Sequence, residues 1–176
     1  QLRLTTQMFT ADLRHVEVDM AVRYGDGSWG DGTSALLFDE EVFPVCSPGF
    51  LEEYGMPGTL EALAALPLVE SDSTYEGWMG WEAWFRSVGY RPPKLNFVLR
   101  SSLYTDAVQA AKYGQGVALG WSRLVHDQLA RGELVRLMTA SCKPRDAYYV
   151  VVPHGRTITP AVTRLIDWLR EEEPLR

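Results

Sequence analysis

Three histidines, two cysteines and 23 acidic residues are the raw material for chemistry in this chain of 176 residues. His15, His126 and His154 lie far apart, and none has a partner at metal-ligand spacing. Solvent-exposed or structural roles are expected for them. Cys46 and Cys142 make no CxxC or Cys/His pattern, so neither zinc nor a disulfide framework is indicated. Cys46 could act as a nucleophile only beside a base, and no sequence cue supplies one, so a packed thiol in a reducing compartment is expected. The carboxylates are scattered, with no pair set to pull two pKa values apart. Serine-elbow, phosphate-loop and HExxH patterns are missing from the sequence. Gly25-Asp26-Gly27 and Gly30-Asp31-Gly32 lack the Lys and Ser/Thr of a phosphate cradle and do not fit dinucleotide spacing. A tight turn and a ligand contact both stay open for that loop. The expectation is therefore no catalytic group, no metal and no cofactor.

Aromatic residues at the ends of elements are more informative. Tyr24 ends an expected strand, Trp29 sits in the glycine loop, Trp78 opens an expected helix, Tyr104 lies in the first turn of another, and Trp121 follows a strand. Together they could form a cage for a quaternary ammonium, each contact worth about 0.5–2 kcal/mol; ordinary packing accounts for the same residues. In open α/β sheets, ligands settle at the carboxyl ends of strands and at helix N-termini. Arg100-Ser101-Ser102-Leu103-Tyr104-Thr105 fits that description and suits a carboxylate, while plain helix capping by Ser102 or Thr105 is compatible with it.

The elements that must position these residues follow from composition and period. The chain is 46% hydrophobic and 23% charged, enough apolar matter for a real core, with a net charge of −6. That acidic balance gains nothing from counterion release on DNA. No apolar run approaches the roughly 20 residues of a membrane span, and no signal peptide opens the chain; the start at Gln1 reads as that of a fragment. Strands are expected at 2–6, 18–24, 35–46, 67–70, 95–99, 117–119, 134–138 and 148–152. Helices are expected at 48–54, from Thr59, from Trp78 to Gly89, at 104–113, at 122–131 and from Thr159–Pro160 onward. Pro44 argues against a regular central-strand pairing of its segment, because it lacks a ladder N–H. The acidic end Glu171-Glu172-Glu173 is expected to point to solvent. Strands and helices alternate, which implies an α/β sheet with helices on its faces.

Several stretches together resemble one family. They are Val18-Asp19-Met20-Ala21-Val22-Arg23-Tyr24-Gly25-Asp26-Gly27 with Trp29, Glu41-Val42-Phe43-Pro44-Val45-Cys46-Ser47-Pro48, Leu66-Pro67-Leu68-Val69, Ala110-Ala111-Lys112-Tyr113-Gly114-Gln115-Gly116-Val117-Ala118-Leu119, Gly132-Glu133-Leu134-Val135, and Tyr148-Tyr149-Val150-Val151-Val152-Pro153. In this order the chain resembles the effector-binding domain of LysR-type transcriptional regulators, in the branch of the glycine-cleavage and β-lactamase activators. The resemblance implies a type 2 periplasmic-binding-protein-like α/β fold: two Rossmann-like lobes joined by two crossovers around an effector cleft. Lobe I would be 1–44 with 148–176 and lobe II 45–147. The winged helix-turn-helix, the linker helix and the first strand and helix of lobe I would lie outside this sequence, with 2–6 as the second strand of lobe I and a pocket incomplete without the missing loop.

Carried over position by position, the resemblance implies effector contacts from Thr5, Thr6, Tyr24 and Asp26, from Ser101, Ser102 and Leu103, from Trp121 or Ser122, and from Tyr148 at the second crossover. Trp29, Trp78 and Tyr104 join this set from the aromatic argument. The implied function is effector sensing without catalysis in a cytoplasmic regulator. Its partners would be an anionic or zwitterionic metabolite, DNA only through the absent N-terminal domain, and further copies of itself as a homodimer or homotetramer; no membrane is implied. An extracytoplasmic solute-binding protein of the same fold is the alternative.

Overall fold

The computed structural model describes residues 2–6, 11–72 and 77–171. In chain order the strands are β1 (Ala21–Gly25), β2 (Gly32–Phe38), β3 (Val42–Cys46), β4 (Leu68–Ser71), β5 (Phe97–Ser101), β6 (Ala118–Trp121), β7 (Val135–Arg136) and β8 (Ala147–Pro153). The helices are α1 (Pro48–Tyr54), α2 (Leu60–Ala65), α3 (Trp81–Ser87), α4 (Tyr104–Lys112), α5 (His126–Ala130) and α6 (Pro160–Glu171). The chain divides into two compact units, Gln1–Asp39 with Arg145–Arg176, and Glu40–Pro144. These divisions fall a few residues before the 44/45 and 147/148 boundaries that the family resemblance implies, because β3 and β8 each belong whole to one unit.

In the first unit, β8 is the middle strand of an antiparallel sheet ordered β1-β8-β2. Val150, Val151 and Val152 give it a buried β-branched run, the composition a central strand favours. The β1–β2 connection turns at Gly27, whose φ is +86° and where a Cβ would stand 2.8 Å from the Tyr149 ring. A side chain there would be strained and obstructed at once. Inside the same loop Asp31 is nine-tenths buried and paired with Arg23, Nη1 to Oδ1 at 2.7 Å and Nη2 to Oδ2 at 2.8 Å. The Leu13 amide donates to Asp31 Oδ2 (2.7 Å), and Arg23 Nη2 also donates to the Ala11 carbonyl. One buried ion pair thus ties β1, the glycine loop and the 11–15 turn together. α6 starts as expected, with Thr159 Oγ1 accepting from Val162 N, and buries Val162.

The second unit pairs β3 centrally between β6 and β7, and β4 with β5 in parallel. A bridge between Leu68 and Val117 connects the two, with Val69 N donating to Val117 O and Val117 N to Pro67 O. α3 brings Trp81, Trp84 and Phe85, all fully buried, against this framework. Each indole finds an acceptor: Trp81 Nε1 donates to Val69 O and Trp84 Nε1 to Val42 O, both at 2.9 Å. Large aromatic surfaces are therefore buried without an orphaned N–H.

Several expectations need correction. Residues 2–6 are exposed and form no strand, since alternation specifies a strand only where a neighbour supplies hydrogen bonds and covers one face. Pro44 does lie in a central strand, opposite Leu119. Its carbonyl accepts from Leu137 N, just past the two-residue β7, so the missing N–H falls where that ladder ends. The third helix begins at Trp81 after Gly80, leaving Trp78 in the preceding loop. α4 takes Leu103 as N-cap with no side-chain cap, so neither Ser102 nor Thr105 caps it. The 122–131 helix shortens to α5, Trp121 ends β6 rather than following it, and 134–138 shortens to β7. Of the acidic end, Glu171 closes α6 and the next two glutamates lie outside the described residues.

Candidate functional site

The candidate residues separate into two groups, one in each unit. In the first unit, Tyr24 on β1, Tyr148 on β8 and Phe38 on β2 share a row across the sheet. The Tyr148 ring centroid is 5.2 Å from Tyr24 and 4.9 Å from Phe38. Asp26 is exposed, and its Oδ1 accepts from Ser28 N at 2.9 Å, a turn-forming bond. Trp29 belongs to the opposite face. It packs edge-on against Tyr149 at 5.6 Å, with the Arg23 guanidinium 5.6 Å over its ring, and Tyr148 and Tyr149 project to opposite sides of β8. Tyr24 and Trp29 therefore do not line one cage. Thr5 and Thr6 are exposed in an irregular segment.

In the second unit the structure does gather aromatics. Trp78 lies 4.6 Å from Trp121 and 5.2 Å from Tyr104, centroid to centroid. The Tyr104 hydroxyl accepts from Trp121 N at 3.0 Å, tying the first turn of α4 to the end of β6. Ser101 ends β5 opposite Ser71, and its Oγ accepts from Leu103 N (3.1 Å) and donates to Asp106 Oδ2 (3.3 Å). Ser102 and Leu103 follow it, both exposed. Ser122, the alternative to Trp121, points elsewhere: its Oγ donates to Glu40 Oε2 at 2.6 Å.

The acid at this site belongs to no motif of the sequence. Trp78, Tyr104 and Trp121 line a recess with Glu70, the third residue of β4, and with Met79. Glu70 is 9% exposed and accepts a hydrogen bond from Trp81 N at 3.3 Å. Burial raises its carboxyl pKa to about 7, against smaller lowering effects of the Trp81 amide and Arg100. The available signal was a lone Glu closing the apolar run Pro67-Leu68-Val69. Glu40 is a second buried acid, pushed up by burial and eased by Ser122 and Arg123 N; its Oε1 has no hydrogen-bond partner among the described residues. Burial also lifts the Cys46 thiol to about 11, which leaves it protonated rather than nucleophilic at neutral pH. Among the described residues no three His, Cys, Asp or Glu side chains cluster as metal ligands, and no helix is long and apolar enough to cross a membrane.

Comparison with known proteins places these features in a family. The family described as the LysR substrate binding domain matches residues 1–174. The Escherichia coli HTH-type transcriptional regulator DsdC is 31% identical over 97% of this chain and 56% of its own length. The Pseudomonas aeruginosa HTH-type transcriptional activator AmpR is 29% identical over 97% of this chain and 55% of its own. The chain thus spans just over half the length of these relatives. The AmpR effector-binding domain of Citrobacter freundii superposes with a TM-score of 0.76 at 25% identity, covering 97% of this chain and 82% of that one. The regulatory domain of CrgA from Neisseria meningitidis shares the fold at a TM-score of 0.67. These neighbours carry the type 2 periplasmic-binding-protein-like α/β fold, and the family match with its regulator relatives favours regulatory effector sensing over a transporter's solute-binding protein. Sequence and fold agree over nearly the whole chain, and the protein belongs to the family of LysR substrate-binding domains.

Proposed function

We propose that this chain is the effector-sensing part of a longer, cytoplasmic transcription regulator, without catalytic activity of its own. The observation that carries the reading is the family match over residues 1–174, joined to relatives that are themselves transcriptional regulators. A small anionic or zwitterionic metabolite is the effector, and it acts by shifting the populations of two arrangements of the whole protein. DNA is contacted by a segment outside this sequence, in keeping with the net charge of −6. The regulator self-associates as a dimer or tetramer. The contact candidates are Tyr24, Asp26 and Tyr148 in the first unit and Ser101, Ser102, Leu103, Tyr104, Trp78 and Trp121 in the second.

Thermal-shift screening of the chain against amino acids and small dicarboxylates tests the sensing role. A true effector at one hundred times its Kd stabilises by about 2.7 kcal/mol, a readily measured rise in Tm. The same compound should then change the affinity of the intact regulator for promoter DNA. A cleavable secretion signal leading directly into residue 1 in the natural protein would overturn the regulator reading.

A further inference from the structure

The recess on the second unit has an unusual balance of groups. Glu70 is a buried acid, and among the described residues no Lys, Arg or His forms an ion pair with it. Arg100, its partner in the β4–β5 register, is engaged elsewhere, 3.6 Å from Asp72 and stacked 4.3 Å over the Phe97 ring. A carboxyl taken out of water without a counter-ion either holds its proton, as the raised Glu70 does, or ionises against a cation that comes to meet it. The other wall of the recess is the ring cluster of Trp78, Tyr104 and Trp121. Aromatic faces and a carboxylate share one preference, because both attract positive charge. The void between them is about 10 Å³, room for about one water-sized group. That size admits an –NH3+ head and not a trimethylammonium.

We propose that this recess receives the primary ammonium group of the effector, with Glu70 as its counter-ion and Trp78, Tyr104 and Trp121 as its aromatic wall. The proposal rests on the effector-sensing reading and narrows it, from metabolites in general to compounds carrying a primary amine. It also departs from the five-residue quaternary-ammonium cage that the aromatics alone suggested: three of those residues and one acid suffice, and the cation is smaller. Burial raises the Glu70 carboxyl, and an ammonium bound beside it would bring it back down.

Isothermal titration of the full chain at pH 8 tests this with glycine, alanine and serine of both hands. The comparison set is acetate, propionate and 3-hydroxypropionate, which lack the amine, together with glycine betaine, which is trimethylated. At least one primary-amine compound should bind, with its deaminated and trimethylated counterparts tenfold or more weaker. Glu70→Gln should cost tenfold or more, the loss of one charge-assisted contact, with Glu70→Asp intermediate. Carbon NMR of the Glu70 carboxyl should show its pKa falling when the amine is bound, a change that mere loss of fold would not give. Binding by Glu70→Gln within twofold of the parent, equal binding of the deaminated acids, or no binding by any of these amines would each overturn the proposal. Binding of an organic acid with no effect of Glu70→Gln would overturn it while leaving effector sensing intact.

Discussion

A glutamate placed at the end of a buried strand has a measurable signature apart from any ligand. Glu70 is raised to about 7 by burial, whereas the unfolded chain titrates near 4.5. Between those values the folded state binds a proton that the unfolded state has released, so stability falls as pH rises from about 4.5 to 7 and stays lower above. The neutral amide of Glu70→Gln escapes this cost. Its unfolding free energy should match the parent at pH 4.5 and exceed it at pH 8, by on the order of 3 kcal/mol at most from a shift of this size. Urea melts at the two pH values check the point, and an advantage of the variant that is equal at both would show that Glu70 titrates normally. No local pattern in the sequence singles out Glu70. Trp78, Tyr104 and Trp121 stood out as aromatics at the ends of elements, yet the recess exists only because α3 and α4 pack over the end of β4, a tertiary fact that no local pattern carries.

Elements were legible where their ends carry their own chemistry. α1 begins at Pro48 behind Ser47, whose Oγ accepts from Phe50 N at 3.1 Å, and stops at Gly55 with φ +76°, the signals its sequence displays. They were not legible where pairing depends on distant partners. Residues 2–6 alternate like a strand and form none, and Pro44 sits in a central strand because its neighbour β7 is only two residues long. The glycine loop between β1 and β2 shows the same dependence. Its turn role rests on Asp31, whose carboxyl the Arg23 guanidinium holds well below the usual carboxylate range. Removing one partner strands a buried charge, so Arg23→Ala should cost about 3–5 kcal/mol. Because the folded pKa of Asp31 is depressed, the pair's contribution is present above about pH 4 and is lost as pH falls below it. The gap between Arg23→Ala and its parent should therefore narrow in melts at pH 3, and a gap independent of pH would mean that the cost comes from packing alone.

At the scale of the whole molecule, the two units differ in how the chain must assemble them. Residues 40–144 form the second unit as one continuous segment, whereas the first joins β1 to β8 across that entire segment. Closing a free loop of about 100 residues costs on the order of 4 kcal/mol. A folded second unit removes that cost, because its two ends are already held side by side: Val42 N donates to Cys142 O at 2.8 Å and Cys142 N to Val42 O at 2.9 Å. Coupling between the units is therefore one-sided. Trp84→Ala, which empties a fully buried site and removes one of the two donors to the Val42 carbonyl, should unfold both units together. Arg23→Ala should unfold the first unit while the second stays folded. Indole fluorescence separates these outcomes, since Trp78, Trp81, Trp84 and Trp121 belong to the second unit and only Trp29 and Trp168 to the first. In urea, far-UV circular dichroism of Arg23→Ala should begin to fall at a concentration where most of the fluorescence change has yet to occur. The two transitions of Trp84→Ala should coincide. Coincident transitions in Arg23→Ala would instead show that the second unit depends on the first as much as the first on the second.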